Sequence, residues 1–574
     1  MKRNSLWKKY LLLMIGLAAV MHPSMAEAGD GEQVNEREIK VDDQHFPDNV
    51  FRAYISENFD LDKNAVLSSD EIEQAKIVDF MWGEYWVTDL TGIEYLSSLE
   101  ELRCSSIGIK SLDISHNTEL RYLECTYNPE LTELDVSQNM KLEEIHCYET
   151  GVSSLDVSSN PLLRRLDCNH TDISTLDVTQ NSRLFALNCE DTKVNSLDVS
   201  NNPELYEVYV TNTPITSLDV THNPELVHIR VSGTDITNLD LHNNPKLAAL
   251  YCYDTEMREL DLSNNHQMYE IFCYDSQIEN LDLTGFRGLH TLECYNTNIK
   301  TLDISGNPEL VGLNCSNTNI SSLDLSKNTK LQRLECADTP ITYLDISNNS
   351  QLRILNITQT NITNLRNLDM SSYPNLEELY CANAGLESLN VGNNPNLYSL
   401  TCEGNSLTSL DLSKTGELWY EKKVSPQARI VFANVQEECM VFDMKTIVPE
   451  LGKVSLPAGE GYIYDNSSGL LTVNGLEEKN ITFLYDHGYT YEGLEPMEVT
   501  LLIREKADIS DEGNDQKEPL NPVRTDTDNR NPDAPDKIKA AKTGDGVACF
   551  TWLSTGVLSF VAGAWVFHKK IRGI

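Results

Sequence analysis

The feature that most constrains this chain is a period of 21 residues running from about Leu99 to about Leu412. One copy reads Ile173-x-x-Leu176-Asp177-Val178, a polar turn, Leu184-x-x-Leu187-x-Cys189, and a second polar turn. Both halves share an L-x-x-L-x-(V/C) core at fixed offsets. A unit this short cannot bury its own apolar face. Copies are therefore stable only when stacked on one another as a solenoid.

A cysteine column fixes the register. Cys104, Cys125, Cys147, Cys168 and Cys189 are followed at the same step by Val210 and Val231, and then by Cys252, Cys273, Cys294, Cys315 and Cys336. Ile357, Cys381 and Cys402 close an array of fifteen turns. Every step is 21 residues except one of 22 before Cys147 and one of 24 before Cys381, where a small bulge is expected. The alternation in Leu187-Asn188-Cys189 turns Leu and Cys inward and Asn outward, as in a short parallel strand. Leu176-Asp177-Val178 repeats that pattern on the opposite side. Stacking at about 4.8 Å per turn predicts a rod of roughly 70 Å with a parallel ladder on each long face.

Twelve of the fourteen cysteines share this one inward column, where Val and Ile substitute for them. That is the behaviour of a small buried hydrophobe, and it predicts free thiols. In-register neighbours hold their Cβ atoms about 4.8 Å apart, too far for an unstrained disulfide. A metal would need thiolates converging on a point, whereas these lie along a line.

Two further columns follow the period. An Asp occupies the middle of the L-x-V half in fourteen turns from Asp113 to Asp411, with Asn390 in the remaining one. Two readings are open: a strip of carboxylates gathering divalent cations, or a structural ladder accepting bonds from nearby backbone and Ser/Thr groups. An Asn column (Asn160, Asn181, Asn202 and others) suits turns in which Asn bonds backbone or adopts a left-handed conformation. The outward positions beside the cysteines are irregular. Tyr209, Arg230, Tyr251 and Phe272, with Tyr253, Tyr274 and Tyr295 just after the cysteines, should form one exposed aromatic area in mid-array. Tyr and Arg anchor interfaces, so these seven are the candidate ligand-binding residues. The competing reading is a cross-strand ladder with no partner.

The flanks have their own signals. Basic residues Lys2, Arg3, Lys8 and Lys9 precede a short apolar run and small-residue cleavage patterns, so residues 1–28 read as an export signal. Residues 44–80 read as a helical cap on the open end of the solenoid, which spans 90–415. Within the cap, Asp60, Asp62, Asn64, Val66, Ser68 and Glu71 occupy the ligand positions of a calcium-binding EF-hand loop. Ala65 stands where Gly is wanted, at a position that strains an L-residue and weakens binding. Trp82, Tyr85 and Trp86 read as sealing the same end. Residues 418–505 hold short β-prone runs separated by Gly, Pro and Asn, the pattern of a small antiparallel β domain. Residues 506–545 read as a disordered stalk. Residues 547–567 are apolar and long enough to span a bilayer, and the basic tail 568–574 is then cytoplasmic.

The balance of 45 basic against 88 acidic residues, a net charge of −43, argues against nucleic acid and anionic lipid surfaces as partners. It suits cationic partners and calcium.

Taken together, the L-x-x-L-D-V-S-x-N repeats, the segment FPDNVFRAYISENFDLDKNAVLSSDEIE and the following LTGIEYLSSLEELRC resemble the cell-surface leucine-rich-repeat proteins of Gram-positive bacteria. The resemblance covers nearly the whole chain. It implies a β-rich leucine-rich-repeat solenoid of about 15 turns with a small helical N-terminal cap and a C-terminal antiparallel β domain. It also implies a sorting tail, in which Ala540-Ala541-Lys542-Thr543-Gly544-Asp545 takes the place of the family's sortase motif. By that analogy sortase cleaves between Thr543 and Gly544 and joins Thr543 to peptidoglycan. Ala540 and Ala541 stand where Leu and Pro are usual, so a plain membrane anchor is the alternative.

No H-E-x-x-H, no G-x-S-x-G and no phosphate-cradling glycine loop occurs, and the twelve histidines are scattered. The chain therefore reads as a surface-displayed binding or adhesion module for a protein or glycan, not an enzyme. Its alternatives are a passive structural envelope protein and an enzyme with its site in 418–505.

Overall fold

The computed structural model describes residues 38–80 and 87–506. The predicted signal peptide, the three aromatics at 82, 85 and 86, the stalk beyond Lys506, the sorting residues Thr543 and Gly544, the apolar span and the basic tail lie outside them. No helix among the described residues is long and apolar enough to cross a membrane.

One parallel ladder organises the chain. It starts at Ile77–Asp79, takes one three-residue strand from every cysteine-bearing turn, and ends at Lys422–Lys423. The pairing is in register throughout: Leu187 lies between Leu166 and Val208, and Leu250 between Ile229 and Ile271. The cap and the β domain each supply one rung beyond the fifteen turns. The inward column is wholly buried from Cys104 to Cys402, and its cysteines are all free thiols. Burial pushes Cys147, Cys189, Cys273 and Cys336 up to about 12, so sulfur here is an apolar filler and not a nucleophile.

The polar columns explain why each turn closes. Two residues after every column position the backbone is left-handed, from Ser106 through Tyr127, Asp191 and Asn212 to Gly404. The next residue, Thr or Ser in most turns, donates its hydroxyl to the carbonyl of the column residue, as Thr192 does to Cys189 O at 2.7 Å. The buried Asn column takes the bonding role and not the left-handed one. Asn181 Nδ2 donates to Val157 O and Asn160 O of the preceding turn, both at 2.9 Å. These amides tie consecutive turns together by supplying a second donor to buried carbonyls that each also accept a backbone N–H, Val157 O from Asn160 N and Asn160 O from Leu163 N. Phe286 and Tyr373 interrupt the column, and the Tyr373 hydroxyl replaces the missing amide by donating to Ile346 O at 2.9 Å.

The opposite side differs from expectation. In place of a second continuous ladder, only Asn367–Asp369 and Ser388–Asn390 pair there as strands. Each Asp of the column folds back locally, Asp369 in the paired strand included: Asp177 Oδ1 accepts from Thr179 N at 2.9 Å and from the Thr179 hydroxyl at 2.7 Å. The same bonds, the Ser/Thr hydroxyl first among the causes, hold Asp177, Asp198 and Asp303 below the ordinary carboxylate range. The Asp column is thus a ladder of turns. The three extra residues before Cys381 are taken up by a 3-10 turn, Thr363–Leu365.

At the N-terminal end, helix α1 (Asn49–Asn58) is capped by Asp48, which accepts from Val50 N and Phe51 N. It buries Phe51 and Ile55 together with Phe46 and Phe80. Helix α2 (Ser69–Gln74) carries a capping box between Ser68 and Glu71. At the far end the β domain forms a seven-stranded sheet in the order Val454–Ser455, Lys479–Tyr485, Met497–Glu505, Gln427–Gln436, Cys439–Asp443, Leu470–Asn474, Tyr462–Asp465. Its neighbours are antiparallel except Met497–Glu505 with Gln427–Gln436, which run parallel. Gln427 joins the two regions by donating to Cys402 O at 2.7 Å and Val424 O at 2.8 Å.

Candidate functional site

The ladder sets every outward side chain one strand spacing from its counterparts in adjacent turns, so like residues in a column must stack. Tyr209, Arg230, Tyr251 and Phe272 occupy the last positions of four consecutive strands, Glu207–Tyr209 to Glu270–Phe272. The Arg230 guanidinium lies between two rings, 4.4 Å from the centroid of Tyr209 and 4.9 Å from that of Tyr251. Tyr251 stacks on Phe272 at 4.7 Å and 7°. Tyr253, Tyr274 and Tyr295 form a second column, each pair at 4.4 Å and within 8° of parallel. The structure brings all seven predicted residues into one half-buried area.

Stacking decides what the area offers. With ring faces turned toward each other, solvent meets edges and hydroxyls. Interior rungs cannot hold a flat sugar ring or a free cation on an open face.

Polar residues missed in the sequence complete the surface. The first position of each strand also points outward, and contributes Glu207, His228, Glu270, Thr291 and Arg333 beside the aromatics. Tyr251 donates its hydroxyl to Glu270 Oε2 at 2.7 Å. Arg333 reaches past the side-chain-free Gly312 turn to donate to Glu293 Oε1, and its Nε donates to Glu335 Oε1 at 2.5 Å. Burial pushes Glu293 up to about 7 against the pull of Arg333. The strand alternation carried this signal, because residues one and three places before the cysteine share a face.

Nearer the N-terminus the same face is ionic. His146 Nδ1 lies 2.7 Å from Asp167 Oδ2, and its Nε2 lies 3.3 Å from Glu144 Oε2. Burial works against the charge on His146, but the two carboxylates outweigh it and raise the ring to about 9.

In the cap loop, ligand oxygens of Asp60, Asp62 and Glu71 lie within 4.8 Å of one another, with Asp60 and Glu71 buried. Asp60 accepts from Asn64 N and Ala65 N, and Glu71 Oε1 accepts from Leu61 N at 2.6 Å. Burial opposes the charge on Glu71, but bonds from Ser68, Leu61 and Asp62 hold it below the ordinary carboxylate range. Ala65 adopts the left-handed conformation anticipated for it, φ 63°. Of the other predicted ligands, Asn64 Oδ1 accepts from Val66 N, Val66 pairs with Lys40 in a short strand, and Ser68 caps α2.

No family profile and no curated protein sequence matches the chain. Solved structures do. The functional domain of InlJ from Listeria monocytogenes, which includes a cysteine ladder, is 26% identical, with a TM-score of 0.65 over 82% of this chain and 99% of that one. YopM from Yersinia enterocolitica is 19% identical, with a TM-score of 0.50 over 67% of this chain and 86% of that one, a likeness of fold alone. The class is therefore a leucine-rich-repeat solenoid, and bacterial leucine-rich-repeat proteins are among its structural neighbours.

Proposed function

We propose that this chain is a non-catalytic binding module displayed on a bacterial surface, and that the strand face around Tyr251 takes a protein partner. One observation carries the reading: two adjacent stacked columns, Tyr209-Arg230-Tyr251-Phe272 and Tyr253-Tyr274-Tyr295, stand half-buried in mid-array on a rigid ladder. Rigid aromatic and arginine side chains already held in place lose little entropy on binding. Edges and hydroxyls suit the mixed surface of a protein better than the face of a sugar. A purified chain carrying Tyr251→Ala, Phe272→Ala and Tyr274→Ala, with its unfolding midpoint within a few degrees of the parent, should lose adhesion to host cells or matrix. Undiminished adhesion sinks the reading.

Two parts of the proposal lie at the ends of the chain. Calcium held by Asp60, Asp62 and Glu71 would stiffen the cap, since three converging carboxylates repel until a cation joins them. Added calcium should raise the unfolding midpoint, and Glu71→Ala should abolish the rise. Export through residues 1–28 and attachment at Thr543 would leave the ladder outside the cell. Mass spectrometry of wall digests should then find Thr543 joined to peptidoglycan, whereas an intact 547–567 peptide in the mature protein points to a membrane anchor.

A further inference from the structure

Among the described stacked rings the most exposed lies at the end of the array. Tyr398 stacks on Trp419 at 4.8 Å and 21°, and Trp419 is 66% exposed. One indole face is covered by Tyr398, so exposure of that size places the other face in solvent. The cause is topological. The ladder stops at Lys422–Lys423, where the chain passes into the β domain, so no further turn supplies a covering side chain. Tyr420, 64% exposed, stands edge-on to the indole at 6.1 Å and 74° and walls one side. The platform is fixed from behind, where Leu418 N donates to the Tyr489 hydroxyl at 2.6 Å and Lys422 Nζ donates to Glu492 O at 2.9 Å.

The chemistry of the missing rung can be read from complete ones. Along this ladder ring faces are covered by rings or by guanidinium groups in several places, though Phe272 and Tyr380 are followed in register by Glu293 and Thr401. Phe272 stacks on Tyr251, Arg230 covers Tyr209 and Tyr251, and Arg103 lies 4.8 Å from the Tyr122 centroid. Charge selects between ring and guanidinium. Glu378 sits at the rim, accepting from the Tyr380 hydroxyl at 2.7 Å and from the Tyr398 hydroxyl. Glu417 is exposed and Glu421 half-buried beside the platform. Lys423 is the exposed opposing charge on the last strand, and the chain as a whole carries −43. Such a field draws cations, and an indole face is the best aromatic surface for one. We propose that Trp419 is a docking point for an arginine side chain of a partner protein, whose guanidinium stacks on the open indole face as the next rung. This surface is independent of the mid-array ladder.

The test titrates the full-length chain, at physiological salt, with a nine-residue oligo-arginine peptide, its citrulline counterpart and a neutral hexasaccharide. The arginine peptide should bind at least tenfold more tightly than the citrulline peptide. Trp419→Ala should remove at least that tenfold, leaving only the salt-sensitive background of an acidic surface. Trp419→Phe should retain part of the affinity. An unchanged unfolding midpoint in Trp419→Ala and Trp419→Phe guards against loss of fold. Equal affinity in parent, Trp419→Ala and Trp419→Phe overturns the proposal, as does equal binding of the citrulline peptide. Hexasaccharide binding lost in Trp419→Ala, with arginine binding intact, also overturns it and makes the platform a sugar site.

Discussion

The inside and the outside of the same ladder obey different rules. The inward columns repeat with almost no freedom: Cys or a small aliphatic residue, Asn, and Thr or Ser recur wherever the period holds. The outward columns change character along the array, ionic around His146 and Asp167 and aromatic from Tyr209 to Tyr295. The difference follows from what each position must satisfy. An inward side chain meets its own copies above and below and has one workable chemistry. An outward one answers to solvent or a partner, and only stacking constrains it. Inward substitutions should therefore alter stability and leave binding alone, while outward ones should do the reverse.

The largest effect is expected at the Asn column. Asn202→Ala removes the bonds its amide makes to Val178 O and Asn181 O at 3.0 and 2.8 Å, although each carbonyl keeps a backbone donor, Asn181 N and Leu184 N. Two buried bonds at about 0.5–1.5 kcal/mol each, with the cavity the amide leaves, put the loss by urea unfolding between roughly 2 and 4 kcal/mol. A smaller loss would mean that neighbouring turns shift to cover the gap.

Next comes the cysteine column. Cys273→Ser places a hydroxyl in a dry apolar stack and should cost about 1–3 kcal/mol, whereas Cys273→Val, the residue used at Val210 and Val231, should cost less than about 1.5 kcal/mol. The native thiols should also resist labelling until the chain unfolds, because burial raises the whole column. Equal loss from Ser and Val would show that sulfur is needed for more than packing.

These two predictions rest on features that were unequally legible. The cysteine register, the fifteen turns and the capped ends follow directly from the 21-residue period, because periodic burial leaves a periodic trace. The role of the Asn column was half-legible: both of its known uses at turns were open, and only the stacked geometry shows Asn181 reaching back to the turn before it. The single ladder was not legible, since Leu176-Asp177-Val178 and Leu187-Asn188-Cys189 alternate alike. Both halves even make the same local bond, Asp177 Oδ1 accepting from Thr179 N and Asn188 Oδ1 from Glu190 N, so nothing in the apolar or polar pattern separates them. In the candidate site the seven aromatic and arginine positions were visible as outward irregularities. Trp419 was not, because its importance comes from the turn that fails to follow it.

On the ionic stretch of the outer face, pH offers a smaller effect. His146 is raised to about 9 by Asp167 and Glu144. A raised folded-state value means that its contribution is complete below about pH 6.5 and is lost as pH climbs through 9. Solvent on one side of the pair limits the contribution to about 1–2 kcal/mol. Stability measured from pH 6 to 10 should decline across that window in the native chain, and His146→Gln should remove this component of the decline. An unchanged slope would place the protonated ring elsewhere.

The smallest effect tests the comparison most closely, because the tyrosine stack could belong to either rule. If Tyr253, Tyr274 and Tyr295 are on display, removing one should barely touch the fold. Aromatic pairs of this geometry contribute about 0.5–1.5 kcal/mol beyond area burial. A double-mutant cycle on Tyr253→Ala and Tyr274→Ala isolates that coupling from the two individual losses. Coupling within that range, with adhesion abolished in either single variant, keeps the column on the outward side of the division. Coupling well above about 2 kcal/mol, with adhesion intact, would make the stack a brace between turns. The outer face would then share the logic of the inner one, and recognition would have to be sought at the open rung beside Trp419.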